Sequence, residues 1–362
     1  MTTSPARRGY LDWLRGVAVL VMIEAHLIDS WTRFPDRQTR QFAYAMIVGG
    51  FGAPLFLFLA GVAVPLSAAS KLRRTGDVRA ATRAVAMRGL EVFGLAFLFR
   101  AQSWILSWGN ARDLLRVDIL NIMGPSIAAA GWMWGAVQTQ RGRIALFSAA
   151  TVITSLVTPA VRALPGLSLL PDPIEAYIRP TGNLSNFVFF PWMAFVFAGA
   201  IAGVILEGAR DARTERRAII AFAVAGLAMT IGAYGASFLP SPFSNSRFWT
   251  TSPTFFFLRV GILTTAIAAA YVWESRPGAA VKFSPLRQLG KTSLFIYWIH
   301  VEMVYGLMSL GLHKSLSWTQ VWVAWAVFCA FMLVCSIAKD RFVNWWNGTP
   351  VGFKTEWRRM TS

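Results

Sequence analysis

Cysteine, histidine and acidic residues are all scarce in this chain. Its 362 residues include two cysteines and three histidines, and 17 Asp+Glu stand against 35 Lys+Arg. Cys329 and Cys335 lie six residues apart in one apolar stretch, where helical geometry keeps them from pairing, so no disulfide or zinc framework is indicated. His26, His300 and His313 show neither HExxH spacing nor clustered carboxylates, and no metal is expected. There is no internal repeat, no low-complexity tract and no segment that reads as a soluble module, which argues against solenoids, tethered domains and scaffolds.

Apolar and aromatic residues are abundant: 55% of the chain is hydrophobic, with 16 Trp and 27 Phe. That composition predicts an all-α, polytopic integral membrane protein, a single transmembrane domain over residues 1–362. Runs long enough to cross a bilayer lie near 12–30, 42–68, 89–108, 117–137, 144–163, 185–207, 218–239, 253–274, 289–312 and 316–338, ten helices in all. The first reads as a retained span, because Glu24 and His26 interrupt it and no small-x-small cleavage site follows. Basic residues are dispersed through the connections, which argues against nucleic acid as a partner despite a net charge of +18. Alternate connections hold 23 and nine of them, and Arg15, Arg100 and Arg259 lie within spans; the positive-inside rule then expects both termini in the cytoplasm. Trp31, Trp108, Trp192, Trp249, Trp318 and Trp345 fall near span ends, as an interfacial belt would. The connection 164–184, rich in Pro and Gly, reads as a lid or acceptor-recognition loop.

Ionisable groups inside such spans are costly unless they face protein, water or substrate. In the first helix Arg15 and His26, with ten residues between them, project from nearly one face about 16 Å apart. Asp29 is near that stripe and suits the role of orienting His26, whereas Glu24 points the other way, toward a neighbouring helix. Arg100, Asp118, Asn121, Arg259, His300 and Glu302 fall at similar depth on other helices, so these residues and Glu24 are expected around one polar, substrate-binding cavity. The alternatives are structural: ion pairs of Arg100 and Arg259 with Glu91, Asp118 or Glu302, an Asp118–Asn121 hydrogen-bonding unit, and a His300 ring donating to a backbone carbonyl. At the cytoplasmic ends, Arg7, Arg8, Arg73 and Lys291 in Gly290-Lys291-Thr292-Ser293 suit phosphate, although topology explains the same charges.

The segments RRGYLDWLRGVAVLVMIEAHLIDSW, FGAPLFLFLAGVAVPLS, RVDILNIMG, FPWMAFVFAGAIAG and LGKTSLFIYWIHVEMVYG resemble bacterial membrane acyltransferases related to heparan-alpha-glucosaminide N-acetyltransferase, over almost the whole chain. That superfamily also includes the acyltransferase-3 family of sugar O-acetylases, whose signature, an arginine followed after ten residues by histidine in the first helix, matches Arg15 and His26. The resemblance implies acetyl-CoA used from the cytoplasmic side and an acceptor presented at the opposite side. The lysosomal heparan enzyme carries its proposed catalytic histidine in the loop after that helix; the corresponding TRFPDRQTRQ has none, so His26 inherits the role. IHVEM resembles the family's late histidine-glutamate element, with Val301 inserted between His300 and Glu302.

The expected reaction is transfer of an acyl group, in the first place acetyl, from acyl-CoA to an amine or hydroxyl of an extracytoplasmic glycan or similar polar acceptor. His26 would act as base, Asp29 as its orienter, Arg15 as donor anchor, and Arg100, Arg259 or Asn121 as oxyanion partner. A homo-oligomer is a further expected partner. The competing class is a proton-coupled transporter using the same buried groups as a relay; it predicts inverted repeats or paired broken helices, and neither is evident.

Overall fold

The structure is a computed structural model that describes residues 8–107, 110–276 and 283–348. Arg7 and Trp108 lie outside the described residues. The described chain is built of α-helices: α1 (Gly9–Trp31), α2 (Arg40–Gly49), α3 (Gly52–Thr75), α4 (Val78–Ser107), α5 (Ile119–Ala136), α6 (Gln140–Ala163), α7 (Asp172–Glu175), α8 (Phe189–Gly208), α9 (Ala212–Ala236), α10 (Pro253–Glu274), α11 (Pro285–Lys291), α12 (Ser293–Tyr305) and α13 (Trp318–Gly348). Short 3-10 turns join several of them, and no strand occurs among the described residues.

Six helical segments among the described residues are long and apolar enough to cross a membrane: Arg40–Thr75, Gln140–Ala163, Phe189–Gly208, Ala212–Ala236, Pro253–Glu274 and Trp318–Gly348. Ten were expected; of the four runs that fall short, three have local reasons. Every stretch of α1 long enough to cross carries Arg15 and Glu24, and α4 carries Glu91, Arg100 and Gln102 in its apolar half. The run expected as one helix over 289–312 is divided into α11, α12 and a 3-10 turn over Leu307–Leu312. Thr292 makes the first break: its hydroxyl turns back to the Gln288 carbonyl at 3.2 Å and across to Ser336 Oγ at 2.6 Å. The second comes at Gly306, which leaves the helix in extended backbone.

Helix α1 is the hub. It packs against α2, α3, α10, α11, α12 and α13, so its polar groups meet protein rather than lipid. Two close crossings set this arrangement. A Cβ on Gly16 would collide with the Leu286 carbonyl and one on Gly290 with the Asp12 carbonyl, so these glycines let α1 and α11 touch backbone to backbone. Gly61 and Gly199 do the same for α3 and α8, against the carbonyls of Val196 and Phe58. The periphery differs: Ile220, Val224 and Ile231 of α9 and Val323, Val327 and Val334 of α13 are exposed, as outward faces of lipid-embedded helices are.

At the C-terminal end of α1 the connections lock together. Leu316 exchanges backbone hydrogen bonds with Trp31 and Arg33, Asp36 accepts from the Trp318 N–H at 2.7 Å, and Val117 pairs with Leu184 and Asn186. Trp31 and Trp192, expected at an interface, turn inward: Trp31 donates Nε1 to the Val304 carbonyl at 3.0 Å, and Trp192 packs on Phe187 and Phe195.

Candidate functional site

A cavity of about 710 Å³ opens among α1, α3, α4, α5 and α12 near that locked end. His26, Asp29, Arg100, Asp118 and Glu302 line it, so five residues expected from sequence share one wall. Arg116, Ser103 and Tyr305 join them. Ser293 also lines it, about 18 Å from Tyr305 along α12, which gives the depth of the chamber.

His26 is held by a second histidine. Its Nδ1 lies 2.8 Å from His300 Nε2, and His300 Nδ1 lies 2.8 Å from the Ile296 carbonyl. The two rings are nearly coplanar, 7° apart, and His300 is fully buried. The carbonyl is an acceptor only, so His300 must carry its proton on Nδ1 and offer a lone pair at Nε2. His26 then donates from Nδ1 and is left with a lone pair on Nε2, on the side of the ring away from His300. For His300 the structural alternative, donation to a backbone carbonyl, is the one realised; fully buried and absent from the cavity lining, it does not take its expected place against substrate and instead positions His26.

Asp29 does not orient His26, contrary to expectation. Its carboxylate takes Arg37 Nη2 at 3.1 Å and Tyr305 OH at 3.2 Å, while its carbonyl accepts from Arg37 and Lys314. Residues three apart on a helix share a face, but Arg37 of the following connection and the Tyr305 hydroxyl capture the carboxylate first. Outside the spans, burial pulls the Lys314 ammonium below the usual lysine range. Tyr305 in turn sets its ring edge-on to His26, 5.5 Å between centroids.

Arg100 and Asp118 form an ion pair at 2.5 Å that stands in the cavity wall. Asp118 also caps α5 with its side chain, and Asn121 returns Oδ1 to the Asp118 N–H at 2.9 Å. Asn121 Nδ2 donates to Tyr177 OH at 3.2 Å, so both ends of its amide are engaged and it stays out of the wall. Its structural alternative is the one realised. Glu302 turns into the cavity with Oε1 unbonded. Glu24 is buried against Gly49 of α2 with neither carboxylate oxygen hydrogen-bonded, and it is not among the residues lining the cavity, which corrects its expected substrate contact. Arg259 lies outside this wall, in a neighbouring pocket.

The residues expected at the cytoplasmic ends are dispersed. Arg15 sits 3.2 Å from Asp12 beside the α1–α11 crossing, below the floor that Met22 and Ser293 give the cavity. Arg8 spends its guanidinium on Glu215 at 2.6 Å and on the carbonyls of Leu206 and Ala209, which corrects its expected role in holding phosphate. Lys291 ends α11 in the open, but its neighbours Gly290 and Thr292 are packed, so the segment is a helix contact and not an open phosphate cradle. Arg73 is exposed in the last turn of α3.

Arg116 and Tyr305 were missed in the sequence. Arg116 stands in an irregular stretch without periodicity, where only its position two residues before Asp118 pointed to the site. Tyr305 lies one turn after Glu302, a spacing that places both on the cavity face of α12.

A family model for an acyltransferase domain matches residues 8–340, spanning every element named above from the start of α1 into α13. No curated protein matches the chain.

Proposed function

From the premise that this chain belongs to the acyltransferase-3 family, we propose that it takes an acyl group, in the first place acetyl, from acyl-CoA on the cytoplasmic face and transfers it to a hydroxyl or amine of an extracytoplasmic glycan or similar polar acceptor. In the same proposal both termini are cytoplasmic, the membrane is a bacterial inner membrane, and the relation to heparan-alpha-glucosaminide N-acetyltransferase is one of chemistry rather than acceptor.

The observation that supports this reading is the hydrogen-bonded chain His26–His300–Ile296 C=O, because it puts a proton on His26 Nδ1 and so leaves the lone pair of the neutral ring on Nε2. A base in that state needs no change of tautomer before it acts. The acceptor heteroatom bonds to the thioester carbonyl carbon as His26 Nε2 takes its proton. The carbonyl oxygen becomes an oxyanion, and Arg116, whose Nε is buried without a partner, stands in the same wall to receive it. Collapse of the tetrahedral species breaks the C–S bond, the thiolate takes the proton back from His26, and free CoA and acylated acceptor leave with no net change in protons. Arg100 and Asp118 hold the wall's charge pattern, and Asp29 and Tyr305 hold its rim.

For the donor, Arg15 and exposed Arg73 and Lys291 are the cations we assign to CoA phosphates; Arg7 keeps that assignment from sequence alone. Purified protein tests the scheme. His26→Ala is expected to lose about 10²–10⁴-fold in acyl-CoA turnover while still binding CoA, as removal of a general base requires. Arg15→Ala is expected to weaken CoA binding with the larger part of its effect in KM. Wild-type turnover in His26→Ala would remove the base assignment.

A further inference from the structure

Beside the large cavity, and sharing Asn186, Phe187 and Trp192 with it, lies a second pocket of about 170 Å³. The charged residues lining it are Arg162 and Arg259, and none of its lining residues is acidic. Arg162, in the last turn of α6, donates Nε to the Phe190 carbonyl at 2.8 Å. Arg259 of α10 lays its guanidinium over the Phe255 ring at 4.0 Å, and its Nε is buried with no hydrogen-bond partner. Neither enters an ion pair among the described residues.

Three other buried or half-buried arginines are neutralised: Arg8 by Glu215, Arg100 by Asp118, Arg143 by Glu207. Two uncompensated guanidinium groups in one small pocket are costly unless a ligand supplies the charge. Two further features favour an anion. Helix α10 begins at the pocket, where Ser252 and Phe255 line it, and adds unbonded N–H groups and the positive end of its dipole. Trp192 and Trp249 also line the pocket, and aromatic rings suit the C–H face of a sugar.

We propose that this pocket binds an anionic group of the acceptor, a carboxylate or a phosphate, and so selects acidic over neutral glycans. The proposal rests on the acyl-transfer reading above and names the substrate class for it. Arg162 and Arg259 grip the anion through charge-assisted hydrogen bonds, and the shared wall of Asn186, Phe187 and Trp192 leads the rest of the acceptor toward His26. The arginines act as a specificity device apart from the bond-making step.

Binding can be read without turnover. Detergent-purified protein is titrated with glucuronate, glucose 6-phosphate and glucose at matched ionic strength, following thermal midpoint and tryptophan fluorescence. One or both acidic sugars should raise the midpoint and change the fluorescence, the more effective arm separating carboxylate from phosphate, and glucose should do neither. Arg162→Gln and Arg259→Gln should each weaken the acidic sugar by about tenfold or more, while Arg259→Lys keeps part of the affinity. Equal stabilisation by glucose overturns the proposal, as does acidic-sugar binding that survives both Gln variants. Stabilisation by phosphatidylglycerol nanodiscs alone, lost in the Gln variants, also overturns it, by assigning the site to a lipid headgroup. Should Arg259→Gln fail to fold, Arg162→Gln and the wild-type sugar comparison still decide. Acetyl-CoA turnover is measured separately, so an inactive protein that binds glucuronate counts against the transfer reaction, and an active one indifferent to charge counts against this pocket.

Discussion

A neutral imidazole offers a lone pair on one nitrogen and a proton on the other, so whatever its donor side touches decides which nitrogen can act as base. For His26 that partner is His300, itself fixed by the Ile296 carbonyl. In the proposed reaction His300 is therefore a positioning residue. His300→Ala should lower kcat on the order of tenfold, the worth of one orienting hydrogen bond of about 1.4 kcal/mol, with KM for acyl-CoA little changed. His300→Asn, whose amide oxygen can accept from Nδ1, should recover part of the loss. An unchanged kcat in His300→Ala would show that the tautomer is set elsewhere. Asp29→Asn should have a smaller effect on kcat than His300→Ala, because its carboxylate serves Arg37 and Tyr305.

Among the helices, α1 illustrates why charge pattern and packing must be read together. Its Arg15–His26 stripe was legible because a 3.6-residue period is a property of the backbone alone. That α1 is enclosed by six other helices was not legible, since enclosure depends on which faces meet. Glycines at the crossings make those meetings possible. Gly199→Leu should drive a side chain into the Phe58 carbonyl and cost about 1–3 kcal/mol or more, seen as a lowered thermal midpoint. Val224→Leu, on the exposed face of α9, is the matched control and should stay within about 0.5 kcal/mol. Equal losses in both would mean that the α3–α8 crossing is not close-packed. The divided run over 289–312 belongs to this scale too: its hydropathy is continuous, but the Thr292 hydroxyl competes for carbonyls and ends α11.

For the molecule as a whole, the rim near the cavity ties the first helix to the last. Arg33 pairs with Asp36 at 2.9 Å, and Asp36 caps the start of α13 at Trp318. The Arg33 hydrogen bonds hold the Asp36 carboxyl below the usual carboxylate range. A depressed folded-state pKa means that the stabilisation is complete above the unfolded value of about 3.9 and is lost as pH falls through the lower folded value. Thermal midpoints of wild type should therefore decline on that acid limb more steeply than those of Asp36→Asn, and the two should converge at the lowest pH. Parallel acid limbs would show that Asp36 does not couple the rim to pH.

Composition and helical period by themselves determined that the chain is all-helical and membrane-embedded in character, and that Arg15, His26, Arg100, Asp118 and Glu302 are buried polar residues in need of a purpose. Those conclusions follow from local quantities, hydropathy and angle per residue, that need no knowledge of neighbours. Tertiary structure decided the partners: His300 rather than Asp29 beside His26, Glu215 on Arg8, Tyr177 on Asn121, and two arginines without counterions around a pocket of their own. Hydrogen bonds and ion pairs form between groups brought within about 3 Å, and residues hundreds of positions apart reach that distance only after the helices have packed.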